Sequence, residues 1–153
     1  MRDATQVDGK PGLKMSEPER SIELMFEDEE TIRVYVPPGW PGGVRPPGSD
    51  GWVRTATAFL LDCCPPEYRG HQVMTRHPVV LAHCARVHVD SQLEGARHAV
   101  AVLRPDLKGL VTSQVADDAV SALQKEEARL VRTARAVDLV GQALRDVRFV
   151  RRL

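Results

Sequence analysis

A seven-residue repeat of branched apolar side chains runs along the last third of the chain. Its members are Leu123, Leu130, Val137 and Leu144, with Val120, Ala134 and Gly141 beside them on a stripe that Glu127 interrupts. A repeat of this period is typical of a straight helix packed lengthwise on another helix, as in a coiled coil. The sequence therefore predicts a helix over about residues 113–149, capped by Thr112 or Ser113.

The preceding segment is the predicted partner of that helix. Residues 78–104 carry apolar side chains at spacings of three and four, and Pro78 suits the first position of a helix. Pro105 and Gly109 mark a turn, so the two helices are expected to run antiparallel. A second copy of the chain is the other candidate, which makes self-association through the last helix an expectation as well.

A stretch rich in proline, glycine and tryptophan precedes a third predicted helix. It reads VYVPPGWPGGVRPPGSDGW, from residue 34 to residue 52, and the helix is expected over residues 52–64 with Ser49 or Asp50 as its cap. Trp40 lies between Gly39 and Pro41 without periodic apolar neighbours. Its indole either fills the junction between neighbouring elements or stands exposed as an interaction residue.

The N-terminal third predicts a β-hairpin. SIELMFE (21–27) and TIRVYVP (31–37) alternate apolar and polar residues, the pattern of half-buried strands, and a short acidic link joins them. Residues 1–19 are polar and aperiodic, which predicts a disordered tail. The expected fold is α+β but mostly α. In it, one domain over residues 20–153 packs the hairpin on three main helices, the last two forming a long antiparallel pair.

Composition narrows the classes of function. The 21 basic residues balance the 21 acidic ones, so no net charge attracts nucleic acid or a membrane. We find no signal peptide and no apolar run of membrane-spanning length, which predicts a cytoplasmic protein without a membrane partner. Three cysteines, two of them adjacent, make a poor disulfide framework.

Cysteine and histidine residues offer a weak metal site. Cys84 and His88 lie four residues apart on a predicted helix, where both side chains reach one ion, and Cys63 is a further candidate ligand. No known zinc spacing occurs, so buried cysteines that pack as small apolar residues are the competing interpretation and no cofactor is expected. Cys63 and Cys64 sit at a helix C-terminus, where the helix dipole opposes a nucleophilic thiolate.

Arginines along the last helix form a candidate nucleic-acid surface. Arg129, Arg132 and Arg135 recur every three residues, which places them on neighbouring positions of one helix face. Acidic residues are interspersed among them, so a solvated face is the alternative interpretation.

Three segments carry a family resemblance. VYVPPGWPGGVRPPGSDGW, LLDCCPPEYRGH and HPVVLAH resemble those of small uncharacterised actinobacterial proteins, over about residues 20–153. The resemblance implies a bacterial cytoplasmic setting and supplies no catalytic or binding residues.

The most consistent functional hypothesis is a non-catalytic accessory or regulatory protein. No phosphate-binding glycine loop, nucleophile elbow or metalloprotease motif occurs, while a long helix and a proline-tryptophan loop suit protein partners. Two alternatives stay open: a nucleic-acid-associated protein that uses the arginines, and a small metal protein or enzyme that uses the cysteines and histidines.

Overall fold

A computed structural model describes residues 34–150 of the chain. This part is mostly helical, as predicted. Its elements are α1 (Trp52–Asp62), a 3₁₀ helix (Pro66–Gly70), α2 (Gln72–Arg76), α3 (Pro78–Asp106) and α4 (Ser113–Ala143). Among these residues, no helix has an apolar stretch long enough to cross a bilayer.

The two long helices α3 and α4 pack along each other, which confirms the predicted pair. Three ion pairs join them in reverse order along the chain: Arg104 with Asp117, Arg97 with Glu127, and Arg86 with Asp138. The residue numbers of the partners decrease on α3 as they increase on α4, so the two helices run antiparallel. Pro78 begins α3, and the Thr112 hydroxyl caps α4 by accepting a hydrogen bond from the Val115 amide. The leucine stripe of α4 therefore packs on α3 of the same chain.

The predicted start of α1 at residue 52 is confirmed, but its predicted cap and the predicted end of α4 are wrong. At α1, Gly51 occupies the cap position in the left-handed region and no side chain caps the helix. Ser49 is not free to do so, since its hydroxyl donates to the Pro46 carbonyl at 2.6 Å. At the other end of the chain, α4 stops at Ala143 rather than near residue 149. Asp146 turns left-handed and the Val147 amide returns to the Gln142 carbonyl, which closes the helix.

The predicted β-hairpin has no support in the described residues. Its first strand and residues 31–33 lie outside them. Residues 34–37, predicted as the end of the second strand, are not a strand. Pro37 and Pro38 lack amide donors for a sheet, and the Trp40 amide bonds to the Pro37 carbonyl in a turn instead. Over residues 34–150 the only β pairing is an isolated bridge between Lys108 and Val111.

The hydrophobic core occupies one end of the α3–α4 hairpin. It joins three helices: Ala56, Leu60 and Cys64 of α1, Leu81, Ala85 and Val89 of α3, and Leu130, Val137 and Val140 of α4. No residue from 97 to 129 belongs to this cluster or packs directly against it. We call residues 97–129 the arm and the rest of the hairpin the base. The burial of the leucine stripe differs between these two parts: Leu130 in the base is 2% exposed, whereas Leu123 in the arm is only half-buried.

The two stripe leucines should therefore differ in their contribution to stability. Leu130→Ala leaves a cavity in a closed core and should lower the free energy of unfolding by about 2–5 kcal/mol. Leu123→Ala removes a side chain that water already reaches, so its cost should stay near 1 kcal/mol. Urea unfolding followed by circular dichroism at low protein concentration measures both. Equal losses would contradict the division into base and arm.

Candidate functional site

Trp40 is half-buried and packs against the core cluster. Its indole N–H donates to the Val44 carbonyl at 2.8 Å, and its ring meets Phe149 edge-on with centroids 6.0 Å apart. Both the indole N–H and one edge of the Trp40 ring are therefore used by contacts within the chain. Such contacts are typical of a tryptophan that fills the junction between neighbouring elements. A role for Trp40 toward partners stays a prediction.

Arg135 fixes the loop that carries Trp40. Its Nε donates to the Pro38 carbonyl at 3.2 Å, across 97 positions of sequence. Gly39 lies beneath this side chain with a φ of +96°, and a Cβ there would stand 2.8 Å from the Arg135 Nε. Glycine suits this position because of the left-handed backbone angle, and a Cβ there would also push the Arg135 side chain aside.

Two glycine substitutions distinguish the conformational constraint on Gly39 from a general effect of adding a side chain to this loop. Gly39→Ala should lower the free energy of unfolding by about 1–3 kcal/mol, because it forces a left-handed alanine against Arg135. Gly42→Ala is the matched control, since it has no positive φ and a Cβ there meets nothing within 4 Å. The control should change stability by less than about 1 kcal/mol. Thermal unfolding of both variants gives the comparison, and similar values would contradict the conformational constraint on Gly39.

The three candidate arginines have separate surroundings. Arg129 donates two hydrogen bonds to Glu126, at 2.6 and 2.8 Å, which lowers the pKa of that carboxyl group. Arg135 is engaged with the loop. Arg132 is exposed and has no ion pair within the described part of the chain. The structure therefore leaves one of the three without an internal partner, which is a small footprint for phosphate binding.

The cysteines lie where α1 meets α3. Cys64 is buried, while Cys63, Cys84 and the metal candidate His88 are half-buried. Desolvation, and then the neighbouring Cys64 and Asp62, raises the pKa of Cys63 to about 11. Desolvation followed by Cys84 raises the pKa of Cys64 to about 11. Over residues 34–150, no three histidine, cysteine or acidic side chains are placed to hold a metal ion.

Thiol reactivity tests this environment. The pKa of Cys63 is raised from the ordinary thiol value of 9.0 to about 11. At pH 8 the fraction of Cys63 present as reactive thiolate is therefore about a hundredfold smaller than for an ordinary thiol. Alkylation of Cys63 by iodoacetamide should be slower by at least that factor than in urea-unfolded protein, and should rise about tenfold per pH unit up to pH 10. Peptide mass spectrometry resolves the site. A rate that levels off near neutral pH would reveal an activated cysteine and contradict this account.

Six small or apolar residues lie on one side of the arm, and we call this set the open face. Its residues are Gly95, at the arm's edge, with Ala99 and Val102 on α3, and Val115, Ala119 and Ala122 on α4. At the base, the Arg86–Asp138 ion pair is exposed, so α1 packs on the other side of the hairpin, which is the side of the open face. Val115 is 52% exposed, and a Cβ on Gly95 would meet nothing within 4 Å. α1 therefore covers this side of the hairpin only at the base.

The opposite side of the arm carries two ion pairs that join the helices. The ion pairs Arg97–Glu127 and Arg104–Asp117, each at 2.8 Å, cross between the helices there. At 100° per residue Arg97, Arg104 and Asp117 lie across the α3–α4 seam from the open face, whereas Glu127 lies in the seam itself. The open face lies on the other side, next to the charged residues Asp106, Asp118, Lys125 and Glu126.

The tip of the arm is apolar as well. Leu110 is 76% exposed and Val111 is 39% exposed, in the turn between the two helices. Beneath them lies a half-open cavity of about 260 Å³, lined by Leu107, Val111 and Ala116 with Arg104, Lys108 and Asp117 at its edge. The apolar surface therefore continues from the open face around the end of the hairpin.

A pattern of small residues in the sequence coincides with the open face, although the stronger leucine repeat on the same helix drew the prediction to the other face. Small residues recur at Gly95 and Ala99 and again at Ala119 and Ala122, one turn apart. Such spacing permits close approach of another helix, but only the short reach of α1 shows that nothing within residues 34–150 covers it.

No family model, curated protein or solved structure matches this chain. The interpretation of its function rests on these surfaces.

Proposed function

We propose that the protein is a non-catalytic accessory or regulatory protein that works through protein contacts made by the arm. One observation carries the proposal: the hairpin extends beyond α1 and presents an open face of uncharged side chains, with Leu110 exposed at its tip. Single exposed apolar residues are ordinary on a protein surface, but Leu110, Val111 and Val115 are exposed together around the end of the hairpin, and such a patch is typical of an interface.

The arm also has a physical reason to bind. In the base, the seam between α3 and α4 is closed, with Val89 and Val137 each 1% exposed. In the arm, Val120 is buried as well, at 4% exposed, but Val100 and Leu123 are only half-buried, so the seam is less completely enclosed there than in the base. A partner on the open face would remove this apolar surface from water at about 25 cal/mol for each Å² buried.

The alternative functions have less support. Two of the three candidate arginines are engaged within the chain, and the thiols of Cys63 and Cys64 are held in the protonated, unreactive form. A nucleic-acid role would rest on Arg132 and the residues around it. The cytoplasmic setting and the actinobacterial resemblance remain predictions that accord with an accessory protein.

Matched lysine substitutions test whether the arm makes the contacts. Ala122→Lys places a charge at the centre of the open face, whereas Ala128→Lys places one on an exposed position of α4 away from it. Asp118 and Glu126 lie one turn to either side of residue 122, so the new lysine should not weaken the helix itself. Chemical cross-linking in native lysate should yield arm-linked complexes with the wild-type chain and with Ala128→Lys.

The same complexes should be lost with Ala122→Lys. Circular dichroism and urea unfolding of both variants provide the folding control. Identical cross-links from the two variants, or none from the wild-type arm, would remove the support for a contact function.

A further inference from the structure

We propose that the cavity at the tip of the arm binds a small carboxylate with an apolar tail of about four to eight carbons. The cavity lies in the turn between α3 and α4, and none of its lining residues belongs to the core of the base. This goes beyond the proposed contact function, because the ligand is a small molecule rather than a protein partner.

The cavity follows from the way the turn is built. The Leu110 amide donates to the Leu107 carbonyl at 3.0 Å, and Gly109 turns the chain with a φ of +81°. α4 then begins at Ser113, and its first buried side chain is Ala116, whose methyl group leaves the space between the helix ends unfilled. The space is therefore a feature of the folded turn.

The interior of the cavity is apolar and small. Leu107, Val111 and Ala116 line it, and its volume is about 260 Å³. An apolar cavity of about 150 Å³ holds benzene, and pockets for drug-sized ligands begin at about 300 Å³. The volume therefore suits a short or branched hydrocarbon tail and is too small to enclose a nucleotide.

The edge of the cavity carries one unbalanced positive charge. Its charged residues are Arg104, Lys108 and Asp117, and Asp117 holds Arg104 in an ion pair at 2.8 Å. Lys108 is exposed and has no ion pair within residues 34–150. One free ammonium group matches a singly charged carboxylate, whereas a phosphate group carries up to two charges. The hydroxyl group of Ser113, on the same lining, can donate a hydrogen bond to the carboxylate.

The two parts of the ligand contribute differently to binding. The tail leaves water between Leu107 and Val111, while the carboxylate stays at the open edge of the cavity beside Lys108. A charge pair at an exposed edge adds little affinity, so most of the binding comes from the buried tail. With so few atoms in the ligand, we expect a dissociation constant in the millimolar range.

Titration of the full-length chain with hexanoate, followed by amide chemical shifts in nuclear magnetic resonance spectra, tests the site and its ligand class. Hexanoate should give saturable shifts concentrated in residues 104–117. Hexanol has the same tail without the charge and should bind at least about threefold more weakly at low salt. Acetate has the charge without the tail and should give no saturable shift.

A matched pair of charge reversals tests the role of Lys108. Lys108→Glu should raise the dissociation constant of hexanoate by at least about fivefold, because it places a carboxylate where the ligand's carboxylate lies. Lys125→Glu makes the same change at an exposed position of α4 outside the cavity, and should stay within about twofold of the wild-type value. Circular dichroism and urea unfolding of both variants provide the folding control.

Four results would overturn the proposal. Hexanoate shifts that do not saturate up to about 50 mM show that no such site exists. Saturable shifts outside residues 104–117 place the binding elsewhere. Equal affinities for hexanol and hexanoate, or equal losses in Lys108→Glu and Lys125→Glu, contradict the recognition of charge. The cross-links that Ala122→Lys should abolish depend on none of these results, so the proposed contact function is tested separately.

Discussion

A difference in helix length governs this molecule. α1 has 11 residues, whereas α3 and α4 have 29 and 31, so one short helix covers only part of a long hairpin. Where α1 packs, side chains of three helices close a core with leucines and valines excluded from water. Beyond it the same two helices continue with only each other to bury their apolar side chains. The closed base explains stability, and the incomplete arm explains why a partner is expected.

Local sequence signals predicted the long helices well. The repeat from Leu123 to Leu144 and the prolines at positions 78 and 105 each act within a few turns of helix, so their meaning is legible in the sequence. The prediction was less successful where a competing hydrogen bond decided the outcome. Ser49 bonds within its own turn instead of capping α1, and Asp146 ends α4 although Phe149 continues the apolar pattern.

The candidate site depended on contacts between distant parts of the chain. Arg135 fitted a phosphate-binding pattern in the sequence, yet its guanidinium is held by a carbonyl 97 residues away. Conversely, the spacing of small residues such as Gly95 and Ala122 was an ambiguous signal, because a small residue on a helix is equally suited to a core or a surface. They acquired significance only when the end of α1 showed which part of the hairpin is covered. Periodicity identifies a face of a helix, and the tertiary structure determines what that face meets.

Hydrogen exchange along α3 and α4 tests the central claim most directly. Amides near Ala85 and Val137 in the base should exchange far more slowly than those near Val100 and Leu123 in the arm, where the side chains are only half-buried. Uniform protection along both helices would contradict the division into a closed base and a less enclosed arm.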